Sequence, residues 1–137
     1  IWMDKVDGLL AQIERKVAQG YRVIKLKVGA LPLAQELTLL QAVRARYPAE
    51  QITLRLDANG AFAAAEVLAI LGQLAPYDVE FLEQPIRAGQ WAALAEICAH
   101  SPIPIALDEE LIFVGFLHGI PDTRSGRISG EISRQEK

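Results

Sequence analysis

The chain has 137 residues, 51% hydrophobic and 23% charged, which is the composition of a folded domain with a core and not of a disordered segment. The formal net charge of −3 gives no electrostatic reason to expect nucleic acid or an anionic membrane as a partner. A single cysteine, Cys98, excludes an internal disulfide and suits a reduced, cytoplasmic protein, and no apolar run approaches the roughly 20 residues that cross a bilayer.

Helical stretches alternate with short apolar runs along the chain. Residues 3–20 have apolar side chains at helical spacing and end at Gly20, and residues 31–48, 61–76 and 89–102 show the same kind of pattern and are each closed by a proline. The apolar runs begin at Arg22, Ile52, Val79 and Ile103, which are 30, 27 and 24 residues apart. This alternation predicts an α/β fold in which parallel strands are covered by outer helices.

Two architectures fit this alternation: an open doubly wound sheet, or an arc of a (β/α) barrel. The first strand is followed by KVGALPLAQ, whose single glycine does not make a phosphate-binding loop. Polar residues at the end of every strand favour the barrel, because catalytic groups from several strand ends mark that fold. We therefore predict a partial (β/α)8 TIM barrel of about four βα units, roughly half of the ~250 residues that a full barrel takes.

Two regions are expected. Residues 1–112 are predicted to form the partial barrel, whereas residues 113–137 contain four glycines, three serines and three arginines without a helical stripe. We interpret this polar tail as loop or disorder. A four-strand arc leaves two open sheet edges, so we also expect the chain to form a homo-oligomer.

Two lysines interrupt the first strand, RVIKLKVG. Lys25 and Lys27 are two residues apart, so their side chains point to the same face. Lysine is almost never fully buried unless it is paired. The pair could protect an exposed edge strand against aggregation, or it could face acidic groups.

Acidic residues end the other three strands. Asp57, Glu83 and Asp108 are 26 and 25 residues apart, one in each βα unit, and should meet at one edge of a parallel sheet. Each alone could be a helix cap or a turn residue. Together they would repel one another without a cation, and hard oxygen ligands in this arrangement suit Mg²⁺. A nearby Mg²⁺ and the Lys25 ammonium would both disfavour protonated Lys27, which could then act as a general base.

The motifs KLKVG, LRLDANG, FLEQP and IALDEE, in this order and spacing, resemble the enolase superfamily, specifically its muconate-lactonizing subgroup and the o-succinylbenzoate synthase family. The resemblance spans about residues 1–112. It implies a TIM barrel, a small carboxylate substrate and a Mg²⁺ cofactor that Mn²⁺ could replace. It also implies the metal ligands Asp57, Glu83 and Asp108, the acid/base Lys27 and its electrostatic companion Lys25, the polar neighbours Asn59 and Glu109, and Arg55 as a residue that could reach substrate.

The resemblance implies a lyase reaction of menaquinone biosynthesis. Lys27 would remove the proton α to the substrate carboxylate and return it to the departing hydroxyl. The same subgroup contains dipeptide epimerases, muconate cycloisomerases and N-acylamino acid racemases, so these reactions are alternatives.

The family also has an N-terminal capping domain and a second lysine on the strand after the Asp108 motif. Neither is present in these residues, where the only lysine beyond Asp108 is Lys137. We therefore interpret the sequence as a central barrel fragment, and we expect it not to turn over substrate efficiently by itself. A catalytically inactive, self-associating half-barrel is the alternative.

Overall fold

Four parallel strands form one sheet in the computed structural model of the chain, which describes residues 6–111. The strands are β1 (Val23–Lys27), β2 (Thr53–Asp57), β3 (Val79–Glu83) and β4 (Ile105–Ala106). Their spatial order, β1-β2-β3-β4, is their order along the chain. The tail predicted over residues 113–137 lies outside the described residues.

A helix precedes each strand. The helices are α1 (Val6–Ala18), α2 (Leu33–Arg46), α3 (Val67–Leu74), which continues into a 3₁₀ turn (Ala75–Tyr77), and α4 (Trp91–His100). Each helix packs against the next one along the chain. A doubly wound sheet reverses its strand order part-way across, whereas a barrel adds each strand beside the previous one. The sequential order therefore confirms the predicted arc of a (β/α) barrel.

The core lies between the sheet and the helices. Alternate strand residues such as Ile24, Leu26, Leu54 and Leu56 are at most 4% exposed and belong to one apolar cluster with buried helix side chains. Because side chains alternate along a strand, the residues between them point to the opposite face. That face carries the lysines of β1 and the polar residues of β2.

Two elements are shorter than the sequence pattern predicts. The helical pattern over residues 61–76 gives a helix only from Val67, because Ala61 and Phe62 instead form isolated bridges to Ile86 beyond β3. The fourth strand has only two residues, although its apolar run begins at Ile103. For α3, the bridges to Ile86 in the loop after β3 override the local helical pattern. None of the helices within residues 6–111 is long and apolar enough to cross a membrane.

Candidate metal and proton-transfer site

The carboxyl ends of the strands bring the predicted acidic and basic residues to one edge of the sheet. Lys27, Asp57 and Glu83 are the last residues of β1, β2 and β3. The strand register pairs Lys27 with Asp57, and Asp57 with Glu83. Because the register aligns the last residues of the three strands, their charged side chains lie next to one another.

Both lysines of β1 contact these carboxylates. Lys25 Nζ lies 3.0 Å from Asp57 Oδ2 and 2.7 Å from Glu83 Oε1, and Lys27 Nζ lies 2.9 Å from Asp57 Oδ2. The prediction that the two lysines share the face of the carboxylates is thus confirmed, as is their pairing. Lys25 bridges two strands, so its positive charge lies between the two acids.

Asp57 is the most enclosed member of this site, with a side chain only 2% exposed. Burial by itself would favour the neutral acid, but hydrogen bonds from Lys27, Lys25 and the backbone N–H of Asn59 outweigh it and lower the pKa of Asp57 below its usual value. Partial burial likewise opposes the charged form of Lys25, yet its hydrogen bonds to Glu83 and Asp57 raise the pKa of Lys25. Both groups are thus held in their charged forms.

A second line of polar contacts runs from Lys27 towards the end of β4. Lys27 Nζ donates to Asn59 Oδ1, and Asn59 Nδ2 donates to Glu109 Oε1 at 3.0 Å. Asn59 adopts a left-handed conformation with φ of 44°, and its N–H donates to Asp57 Oδ1 at 3.1 Å, which turns its side chain back over the strand ends. Asn59 therefore contacts Lys27, and Glu109 contacts Asn59, while their place beside a metal ion stays a prediction.

Asp108 and Arg55 are less closely joined to this group. Asp108 lies two residues beyond β4 and is exposed. Arg55 lies on the face of Asp57, as expected, but its Nε contacts Glu80 Oε2 at 2.5 Å and its guanidinium lies over the Phe81 ring at 5.2 Å. Contact between Arg55 and a substrate stays a prediction.

Sequence reasoning missed three buried polar residues that shape the site. Glu36 on α2 accepts hydrogen bonds from the backbone N–H groups of residues 29–31, which fixes the loop after Lys27. Gln84 and Glu110 are 1% and 0% exposed and join the loops after β3 and β4. A signal was available for Gln84, since a polar residue between a buried strand and a proline needs a partner.

The donor chemistry at this edge fits a divalent cation. Carboxylate oxygens are the ligands that Mg²⁺ prefers, and the ammonium of Lys25 shows that a positive charge is accommodated between Asp57 and Glu83. Glu109 Oε2 is buried without a hydrogen-bond partner, which leaves one acceptor at the site free. Within residues 6–111, no three His, Cys, Asp or Glu side chains lie close enough together to hold a metal ion, so the assignment of three ligands stays a prediction.

An open pocket adjoins Lys27. It has a volume of about 210 Å³ and lies between the loops after β1 and β2, with Lys27, Gly29, Asn59 and Ala61 among its lining residues. Lys27 therefore borders an open space at this edge of the sheet.

Comparison with known proteins identifies the family. The family described as enolase C-terminal domain-like matches residues 8–115. The chain belongs to this family. This finding agrees with the family resemblance of the strand-end motifs.

Relatives within the enolase superfamily carry several activities. The chain is 44% identical over 115 residues to an o-succinylbenzoate synthase of Desulfotalea psychrophila, covering 84% of this chain and 31% of that protein. It is 30% identical over 112 residues to an L-Ala-D/L-amino acid epimerase of Maribacter, covering 82% of this chain and 31% of the epimerase. The chain thus spans about a third of the length of these relatives.

Solved structures of the superfamily share the fold. MenC from Desulfotalea psychrophila matches with a TM-score of 0.75 and 42% identity over 81% of this chain and 30% of that one. An o-succinylbenzoate synthase from Thermosynechococcus elongatus, which has magnesium in its active site, matches with a TM-score of 0.68 and 30% identity over 82% of this chain and 37% of that one. The family therefore includes proteins that bind Mg²⁺.

Proposed function

We propose that this chain contributes the metal-binding and proton-transfer residues of an o-succinylbenzoate synthase-type dehydratase. The observation that carries the proposal is the strand-end group in which Lys25 bridges Asp57 and Glu83 while Lys27 contacts Asp57. The 44% identity to a synthase favours this reaction over others of the superfamily. The product would serve menaquinone biosynthesis, and the free, exposed Cys98 suits a cytoplasmic setting.

Asp57, Glu83 and Asp108 would hold Mg²⁺, and Mn²⁺ could take its place. The bound ion would stabilise the negative charge that develops on the substrate carboxylate when its α-proton is removed. Asp57 and Glu83 are already adjacent in the register, whereas Asp108 follows the strand that pairs with Glu83.

Lys27 would move the proton. Its amine takes the proton α to the substrate carboxylate, and the resulting ammonium gives that proton to the hydroxyl that leaves as water. The contacts of Lys27 Nζ with Asp57 and Asn59 hold the nitrogen in one place at the edge of the open pocket. Lys25 would offset part of the negative charge of Asp57 and Glu83 beside Lys27.

Epimerisation is the alternative reaction, since an epimerase is also 30% identical to the chain. An epimerase needs the same proton removal by Lys27 but returns the proton to the opposite face of the same carbon. Assay with dipeptides in deuterated water separates the two reactions, because an epimerase incorporates deuterium at the α-carbon without loss of water.

Titration with Mn²⁺, followed by its electron spin resonance signal, tests the metal site in the 137-residue chain. We expect one bound ion and a loss of about 10-fold or more in affinity in the Asp57→Asn, Glu83→Gln double variant. Glu96→Gln is the matched control, because the Glu96 side chain is 78% exposed on α4. Equal affinity of the wild type and the double variant would sink the proposal.

We also propose that the 137-residue chain associates with itself. β1 and β4 are the edges of the described sheet, and Tyr21 before β1 and Val23 at its start are 53% and 45% exposed. Open edges with apolar neighbours favour pairing with another strand. Size-exclusion chromatography should give a particle of at least twice the 15.0 kDa mass of the chain, and elution as a monomer would contradict this.

A further inference from the structure

The segment that carries Asp108 and Glu109 has little strand pairing to hold it. β4 ends at Ala106, and its two residues pair only with Leu82 and Glu83 of β3. The residues that follow must therefore be positioned by other contacts. Those contacts come from Gln84, the residue directly after Glu83.

The side-chain amide of Gln84 hydrogen-bonds to the backbone of this segment. Its Oε1 accepts hydrogen bonds from the backbone N–H groups of Asp108 and Glu110, both at 3.3 Å, and its Nε2 donates to the carbonyl of Ile86 at 2.9 Å. The side chain is 1% exposed, so water does not compete for these bonds. Its φ of 43° lies in the left-handed region, which turns the chain after β3 and sends the side chain towards β4.

The backbone of Gln84 also joins its neighbours on both sides. Its N–H donates to Ala106 at 2.9 Å, and its carbonyl accepts from the N–H of Gly60 at 2.7 Å. Gln84 therefore touches the ends of both β2 and β4. Its backbone thus bonds to the last residue of β4 on one side and to the loop after β2 on the other.

Glu110 makes the reciprocal contact. It is 0% exposed, and its two carboxylate oxygens accept from the backbone N–H of Gly89 at 3.2 and 3.1 Å. Gln84 thus reaches from the loop after β3 to the segment after β4, and Glu110 reaches back. We call these two side chains and their four backbone partners, the N–H groups of Asp108, Glu110 and Gly89 and the carbonyl of Ile86, the β3–β4 clasp.

We propose that Gln84 and Glu110 are positioning residues whose clasp holds the backbone that carries Asp108 and Glu109 at the edge of the proposed metal site. The inference rests on the proposed metal site and adds the residues that would assemble it. Loss of the clasp would leave Asp57 and Glu83 in register, because their strands pair directly. Only the segment after β4, which carries Asp108 and Glu109, would lose its fixed position.

Gln84→Asn is the sharpest test, because asparagine keeps the amide and tolerates a left-handed backbone but is one methylene too short to reach both N–H groups. We expect hydrogen exchange at the amides of Asp108 and Glu110, measured by NMR without metal, to become about tenfold faster or more. Mn²⁺ affinity should fall by about 10- to 100-fold. Glu110→Gln keeps an acceptor for Gly89 and should stay closer to the wild type in both measurements than Glu110→Leu.

Two controls separate positioning from general destabilisation. Gln73→Met removes an exposed glutamine whose side chain bonds only to its own helix, and it should change neither measurement. Leu71→Ala creates a cavity in the core under α3, away from the strand ends, and lowers stability without touching the clasp. If Leu71→Ala, compared under conditions where both variants are folded, weakens Mn²⁺ binding as much as Gln84→Asn does, the clasp has no specific role.

The same experiment distinguishes failure of the clasp from failure of the metal site. Unchanged exchange at Asp108 and Glu110 in Gln84→Asn overturns the clasp, whatever the metal does. Unchanged Mn²⁺ affinity in Asp57→Asn overturns the metal site, and with it the proposed role of the clasp. Faster exchange together with weaker Mn²⁺ binding in Gln84→Asn, beside normal binding in Gln73→Met, supports both.

Discussion

Two ammonium groups, those of Lys25 and Lys27, and the backbone N–H of Asn59 all contact the buried carboxylate of Asp57 at the strand ends. These partners keep it ionised although burial alone would favour the neutral acid, and the pKa of Asp57 is lowered. As the pH falls, the unfolded chain therefore takes up a proton at this position before the folded chain does. Stability from Asp57 is complete above the pKa of an unfolded aspartate, about 3.9, and is lost as the pH falls through the lower folded value.

Urea unfolding in the presence of a chelator checks this sign. The difference in free energy of unfolding between the wild type and Asp57→Asn should be constant above about pH 5 and should shrink as the pH falls below about 4. Glu96→Gln serves as the exposed control. A difference that stays the same down to pH 3 would mean that the pairing of Asp57 does not stabilise the fold.

The surroundings of Gly29 leave no room for a larger residue, whereas those of Gly72 do. Gly29 has a φ of 86°, and a Cβ added there would lie 2.5 Å from Cβ of Ala61. Gly72 lies within α3, and an added Cβ would meet nothing within 4 Å. We expect Gly29→Ala to lower the free energy of unfolding by about 1–3 kcal/mol and Gly72→Ala to raise it by about 0.5–1 kcal/mol. Urea midpoints that move in the same direction for both variants would contradict this reading.

At the scale of elements, Arg44 ties helix α2 to the amino-terminal side of the sheet. Its guanidinium donates to the backbone carbonyls of Tyr77 and Asp78 before β3, at 2.7 and 2.9 Å, and to that of Ile52 before β2, at 2.9 Å. These bonds join α2 to the segments that lead into β2 and β3. Arg44 thus holds one end of the sheet while the lysine–carboxylate pairs hold the other.

Arg44→Met should cost about 2–3 kcal/mol in the free energy of unfolding, because the charge-assisted hydrogen bonds to these backbone carbonyls are lost. Arg46→Met on the same helix is the matched control. Arg46 pairs with Glu14 of α1, both about half exposed, so its loss should cost about 0–1 kcal/mol. Chemical denaturation of the two variants measures both losses, and equal losses would refute the role given to Arg44.

The strand pattern was readable from the sequence because buried runs between turn-forming residues report directly on local structure. The lysine pair and the spacing of Asp57 and Glu83 likewise follow from alternation within strands and from the parallel sheet. The late start of α3 was not readable, because the bridges of Ala61 and Phe62 to Ile86 join residues about 25 positions apart. The spacing of apolar residues within one segment does not reveal contacts between segments that are distant in the sequence.

Buried polar residues escaped prediction for a related reason. Glu36, Gln84 and Glu110 look like ordinary surface residues in the sequence, yet each accepts hydrogen bonds from backbone N–H groups of another segment. Their partners are defined only once the loops are in place. Placing Asp108 by spacing alone faced the same difficulty, since β4 ends two residues before it.

At the scale of the whole molecule, the described residues supply four successive strands, each preceded by a helix, whose carboxyl ends lie at one edge of the sheet. The relatives are about three times as long, so the 137 residues assayed alone are expected to turn over slowly. Remote contacts and exclusion of water, which orient a substrate and strengthen electrostatic stabilisation, come from more of the protein than this arc. The proposed chemistry of the strand ends is therefore best tested within a protein of the relatives' full length.

A chimera measures this most directly: residues 8–115 of this chain replace the matching segment of the Desulfotalea psychrophila synthase, and formation of o-succinylbenzoate is followed with Mg²⁺ present. We expect the chimera to form product and Lys27→Ala to lower its rate by about 10²- to 10⁴-fold, without a fall in the affinity for Mn²⁺. Lys16→Ala, which removes a lysine that lies over the Tyr21 ring, should keep the parent rate. A Lys27→Ala chimera that forms product as fast as its parent would contradict the account.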